Sequence, residues 1–221
     1  MEGETKLRDI PEPRLYGRLV ESQILNARYR MAVLPPFLSR KQNVVLISGD
    51  AGMGKCALAS SLRGAVEKDG GLFLSGKFDQ FLGQPFEPFR QAFTEYTDLI
   101  CQRYPERIGQ LRADILKVVG REVELLTSTI PALTRIIGQQ TEAAKVPGSS
   151  ASHRVRHVFR AFLRAICNEK WPLVLQFDDI QWADASSLEL LRYMSTSSGD
   201  KAFFLVCTFR RETSLDSRRP F

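Results

Sequence analysis

The stretch GDAGMGKCAL, residues 49–58, constrains this chain more than any other. Glycines stand at 49, 52 and 54, and Lys55 follows the last of them. The β-branched run NVVLIS precedes the stretch and reads as a buried strand. KCALASSLRGAVEKDGG follows it with helical spacing and a Gly-Gly exit. A strand, a glycine-rich turn and a helix in that order let successive backbone N–H groups curl around one anion. The helix start adds its dipole, and Lys55 adds a full positive charge. Gly49, Asp50, Ala51, Gly52, Met53, Gly54, Lys55, Cys56 and Ala57 are therefore the candidate phosphate-binding loop.

One position departs from that chemistry. The residue after the lysine is expected to be Ser or Thr, whose hydroxyl serves Mg²⁺. This chain has Cys56. Mg²⁺ prefers oxygen ligands in a strict octahedron, and a thiol is soft. Phosphate binding is expected to survive the change, with metal placement and hydrolysis weakened. Cys56 also stands beside Lys55 at a helix start, a setting expected to lower a thiol pKa and make it reactive.

The rest of the chain alternates strands with helices. LFLSGKF, PLVLQFDD and KAFFLVCTF read as further strands, and SHRVRHVFRAFLRAICNEK and DASSLELLRYMSTSS as helices. Residues 85–138 are helical in period and read as an insertion, with one long helix expected across 107–128. Residues 139–151 read as a loop and 1–14 as a leader. This alternation implies an α/β fold with a largely parallel sheet, whose ligands gather at the strand C-termini.

A second chemical feature sits at such an end. PLVLQFDD closes with two adjacent carboxylates, costly on a buried strand without a cation or donors nearby. Asp178 is positioned to serve a metal, and Asp179 to orient or deprotonate a water. Gln176 puts an amide inside the apolar run and needs a hydrogen-bond partner.

Composition removes several function classes. The 221 residues carry 31 basic and 25 acidic side chains, a net charge of +6 that permits a nucleic-acid partner without calling for one. Four cysteines without a CxxC pair and two histidines do not supply a structural zinc site. They read as reduced thiols. No apolar run approaches the roughly 18 residues of a membrane span. The polar start MEGETKLRDIPEP has no apolar signal region. A reducing, cytoplasmic location is expected.

Taken together, these segments resemble a known family. PLVLQFDDIQWADASSLELL resembles the Walker B segment of the STAND and AAA-like signalling ATPases. SGDAGMGK resembles their Walker A, LYGR at 15–18 their opening motif, and VCTFRRE at 206–212 their sensor segment. GKFDQF at 76–81 is similar to a string in the large ATPases fused to kinase, cyclase or regulatory modules. The resemblance spans 15–212. It implies a three-layer P-loop NTPase, one origin-recognition-like AAA domain over 15–221, binding ATP and Mg²⁺.

Carried over by position, the resemblance implies that Gly17 and Arg18 lie by the base or phosphates, and that Lys55 holds the β- and γ-phosphates. It implies Mg²⁺ at Asp178, the catalytic water at Asp179 and γ-phosphate sensing by Arg210. Leu19 stands where the opening motif has Glu, and the final strand and lid of the family are expected to be missing. The expected function is a nucleotide-dependent switch with doubtful ATPase activity, working with a protein partner or further domains of a larger protein. Two alternatives compete with it. One is a nucleotide-independent interaction module working through 85–138, with Phe86, Phe89, Phe93, Leu116 and Leu125 as candidate surface or core. The other is a DNA-binding ATPase.

Overall fold

The computed structural model describes residues 17–33, 43–81, 84–139, 151–167, 171–196 and 202–211. Among them the apolar runs form one sheet of four strands: β1 (Val44–Gly49), β2 (Leu72–Lys77), β3 (Leu173–Asp178) and β4 (Phe203–Arg210). The order across the sheet is β1-β4-β3-β2, and every neighbouring pair is parallel. The strand that leads into the glycine loop and the strand that ends in the acids are thus separated by β4. Because all strands run the same way, their C-terminal ends line one edge. There Gly49 pairs in register with Arg210, and Lys77 with Asp178.

Helices cover both faces, as the alternation of side chains along a strand requires. Phe73, Val174, Phe204 and Val206 face α1 (Leu19–Val33), α2 (Lys55–Ser60) and α3 (Arg63–Lys68), packing with Leu25, Tyr29, Leu58, Leu62 and Val66. Leu74, Leu173, Leu175, Phe177, Phe203 and Leu205 face the opposite layer. That layer holds α4 (Glu87–Arg103), α5 (Ile108–Val119), α6 (Val123–Thr129), α7 (Thr134–Ile137), α8 (Ala151–Ile166) and α9 (Ala185–Thr196). The fold is α/β in three layers, as expected.

The helical middle is a core layer. Phe89 and Phe93 are fully buried, and Phe86, Leu116 and Leu125 pack against the same core. The ring of Phe89 lies 4.5 Å from that of Phe177, and Phe93 lies 5.1 Å from Phe162. Aromatic pairs at such separations add to the area they bury. Close approach of β2 and α4 demands Gly76, where a Cβ would come 2.2 Å from the Pro88 carbonyl oxygen.

Two helices are shorter than their period suggests. The segment after the glycine loop breaks into α2 and α3 at Ser61, whose hydroxyl bonds the Leu58 carbonyl at 2.7 Å. Such local side-chain bonds compete with the helix ladder. The stretch 107–128 breaks at Gly120, which adopts φ 63° and ψ −137°. The leader 1–14 and most of the loop 139–151 lie outside the described residues.

Candidate functional site

The site grows from the end of β1. Gly52 and Gly54 take φ of 77° and 73°, where a side chain is strained, although a Cβ on either would meet no atom within 4 Å. Here glycine serves conformation rather than space. Gly54 is the N-cap of α2 and offers no side-chain cap, so the first-turn amides of Lys55, Cys56 and Ala57 are left for an outside acceptor. Lys55 is 8% exposed, and its Nζ donates to the Asp50 carbonyl oxygen at 2.8 Å. The lysine amine thus rests on one of the loop's own carbonyls. Gly49, Asp50, Ala51 and Met53 complete the turn, and Met53 is exposed.

The acids stand across from this loop. Asp178 ends β3, and both of its carboxylate oxygens accept from the Cys56 thiol, at 3.0 and 2.8 Å. Thr208, fully buried on β4, donates to Asp178 Oδ1 and accepts the Asp179 backbone N–H at 3.3 Å. One hydroxyl therefore orients both acidic residues. Asp179 is buried and adopts φ 54°, a left-handed conformation that Asp tolerates better than most residues. Its carboxylate meets Lys77 Nζ at 3.7 Å, Arg210 Nε at 3.4 Å and Gln181 Nε2 at 2.8 Å. These three donors offset the cost of burying that charge.

Gln181 also accepts the Arg210 backbone N–H at 3.1 Å, tying the turn after β3 to the end of β4. Asp184 accepts the Ser187 N–H at 3.0 Å and so caps α9. Gln176, the amide inside β3, accepts from Ser60 Oγ at 3.1 Å. That bond joins β3 to α2 and explains how the polar residue is accommodated.

The expected lowering of the Cys56 thiol pKa is reversed. Partial burial of its sulfur pushes the thiol up to about 11, with the hydrogen bond to Asp178 and the charges of Asp178 and Asp179 adding to the rise. The side chain as a whole is exposed, so the acidic neighbours explain the direction better than burial alone. A thiol facing two carboxylates keeps its proton.

The structure thus brings Lys55, Cys56, Asp178, Asp179 and Arg210 to one edge of the sheet. Arg18 pairs with Glu21 at the start of α1, at 3.6 Å, and among the described residues no hydrogen bond or ion pair joins Gly17 or Arg18 to the loop. Sequence reasoning passed over Thr208 and the role of Lys77. A polar residue at the end of the apolar run FFLVCT was the available signal for Thr208.

The family model for the AAA ATPase domain matches residues 14–206. The hybrid signal transduction histidine kinase G of Dictyostelium discoideum is 31% identical over 156 residues, which cover 70% of this chain and 4% of that protein. The chain therefore spans a small part of the length of this relative. The structure of C. elegans PCH-2 aligns with 12% identity over 89% of this chain and 38% of that one, with a TM-score of 0.37. Among the described residues no helix is long and apolar enough to cross a membrane.

Proposed function

The chain belongs to the AAA ATPase domain family, and on that premise we propose that it binds ATP at the loop 49–57 and switches conformation with the nucleotide's state. The observation that carries this reading is the convergence on one sheet edge of the glycine loop with Lys55, the acids at the end of β3 and Arg210 at the end of β4.

The cradle fits a nucleotide. Left-handed Gly52 and Gly54 turn the loop, the uncapped start of α2 leaves N–H donors, and Lys55 lies within the loop with its amine on a carbonyl that a phosphate oxygen could replace. Bound ATP would supply a transferable γ-phosphoryl group. Arg210 would exchange its contact with Asp179 for that group, and Asp179, freed of one cation, would orient a water. An exchange of partners at Asp179 is the conformational step of the switch.

Mg²⁺ fits less well. Asp178 is a suitable oxygen ligand, but the group beside it is a thiol whose proton points at that same carboxylate. Slow turnover is the expected result. The match to a signalling histidine kinase supports a role as one module of a larger signalling protein, with the other modules as partners.

The reading as a nucleotide-independent interaction module loses ground, because the apolar residues of 85–138 are spent on the core. Val118 is the one large apolar side chain of that stretch exposed among the described residues. Calorimetric titration of ATP into wild type and Lys55→Ala tests the proposal. Binding by wild type that the variant loses supports it, and absence of binding by wild type overturns it.

A further inference from the structure

The misfit with Mg²⁺ has a direction. Cys56, in the first turn of α2, and Asp178, at the end of β3, set one sulfur and one carboxylate 2.8 to 3.0 Å apart. Thr208 holds Asp178 from behind, from a fully buried position on β4. The carboxylate is therefore the fixed member of the pair, and exposed Cys56 the movable one.

A sulfur and a carboxylate oxygen suit a borderline-soft divalent ion, with bonds of about 2.3 Å to sulfur and about 2.1 Å to oxygen. At a tetrahedral angle those bonds set sulfur and oxygen roughly 3.6 Å apart. The present hydrogen-bonded pair would open by less than about 1 Å, within reach of a rotation of the Cys56 side chain. An octahedral, oxygen-seeking Mg²⁺ gains the carboxylate of the same pair but nothing from its sulfur.

We propose that the nucleotide loop of this chain takes a thiophilic divalent cation of the zinc class in place of Mg²⁺, held by Cys56 Sγ and Asp178 and completed by phosphate oxygens of the nucleotide. The proposal rests on the reading of the loop as an ATP site. Among the described residues no group of three or more His, Cys, Asp or Glu side chains gathers as a metal site. Two side chains leave half of a tetrahedral shell to fill, and the β- and γ-phosphate oxygens fill it. Ion and nucleotide therefore raise each other's affinity by the same factor. On binding, the sulfur proton leaves to solvent, and the bond between thiol and carboxylate is replaced by two bonds to the ion.

The test titrates ATP calorimetrically into the full chain in chelator, in Mg²⁺ and in Cd²⁺, with ultraviolet absorption from sulfur-to-cadmium charge transfer read on the same samples. Wild type, Cys56→Thr and Cys56→Ser are compared. Wild type should bind ATP about ten-fold or more tightly in Cd²⁺ than in Mg²⁺. The absorption should develop when ATP and Cd²⁺ are both present, and both variants should lose it. Cys56→Thr should prefer Mg²⁺.

Equal affinity of wild type in the two metals overturns the proposal and leaves the ATP site standing. So does an absorption band that persists in both variants, which would belong to the partly exposed Cys101. Failure of wild type to bind ATP under any of the three conditions removes the ATP reading itself, and the proposal with it.

Discussion

Cys56 Sγ lies 2.8 Å from Asp178 Oδ2, across 122 residues of chain. The contact joins the first turn of α2 to the end of β3, so the glycine loop and the acid pair form one unit. It also sets a neutral, soft donor where a hydroxyl would serve a hard cation. On the proposed reading, phosphate recognition and metal chemistry are separable, and each can be tested alone.

Lys55 donates a charge-assisted hydrogen bond within the loop and would transfer it to phosphate. Such bonds contribute about 1.5–3 kcal/mol. Lys55→Ala should weaken ATP binding by roughly ten- to hundred-fold, and calorimetry checks it. Unchanged affinity would place the nucleotide elsewhere.

Arg210 is half exposed and reaches Asp179 at 3.4 Å. A sensor of the γ-phosphate distinguishes ATP from ADP. Arg210→Ala should bring the two affinities together by weakening ATP alone, as competition with a fluorescent nucleotide would read. Equal weakening of both nucleotides would reduce Arg210 to a general electrostatic role.

The Cys56 thiol, raised to about 11, carries roughly a hundred-fold less thiolate near neutral pH than an ordinary thiol. Its alkylation by iodoacetamide, followed by mass spectrometry, should be slow and should accelerate only well above pH 9. Asp178→Asn removes a hydrogen-bond acceptor and a charge, and should speed the reaction. Rapid alkylation of wild type at neutral pH would show that the thiol does not face the acids.

Cys207, buried in β4, is pushed up to about 12 by burial from an ordinary value of 9.0. Between those values the unfolded chain releases a proton that the folded chain retains. Stability from this group is complete below pH 9 and is lost as pH rises toward 12. Urea unfolding of wild type should show this fall at alkaline pH, and Cys207→Val should lessen it.

Two glycines should respond in opposite ways to alanine. At Gly76 a Cβ would meet the Pro88 carbonyl oxygen at 2.2 Å, whereas at Gly109, in α5, nothing lies within 4 Å. Gly76→Ala should destabilise by about 1–3 kcal/mol. Gly109→Ala should stabilise by about 0.4–1 kcal/mol. Thermal unfolding of the two variants compares them directly.

Local features were legible in the sequence. The glycine spacing, the apolar strands and the adjacent acids each declare themselves within ten residues, and the parallel sheet follows from their alternation. What required the structure lies between distant segments. Gln176 reads as a misfit, but its partner Ser60 lies 116 residues away. Cys56 reads as an activated thiol from its neighbour Lys55, because Asp178 is invisible along the chain. Thr208 and Lys77 gain meaning only once β4 and β2 flank β3. The break at Gly120 shows the reverse case, where helical period continued across a residue whose backbone conformation ends the helix.

If the loop binds ATP while Cys56 uncouples that binding from Mg²⁺, the metal dependence of ATP affinity carries the signature. ATP affinity measured by calorimetry with and without Mg²⁺, on wild type and Cys56→Thr, tests it most directly. Wild type should bind ATP with little response to Mg²⁺, and Cys56→Thr should bind more tightly when Mg²⁺ is present. Equal Mg²⁺ dependence in the two proteins, or no binding by either, would contradict it.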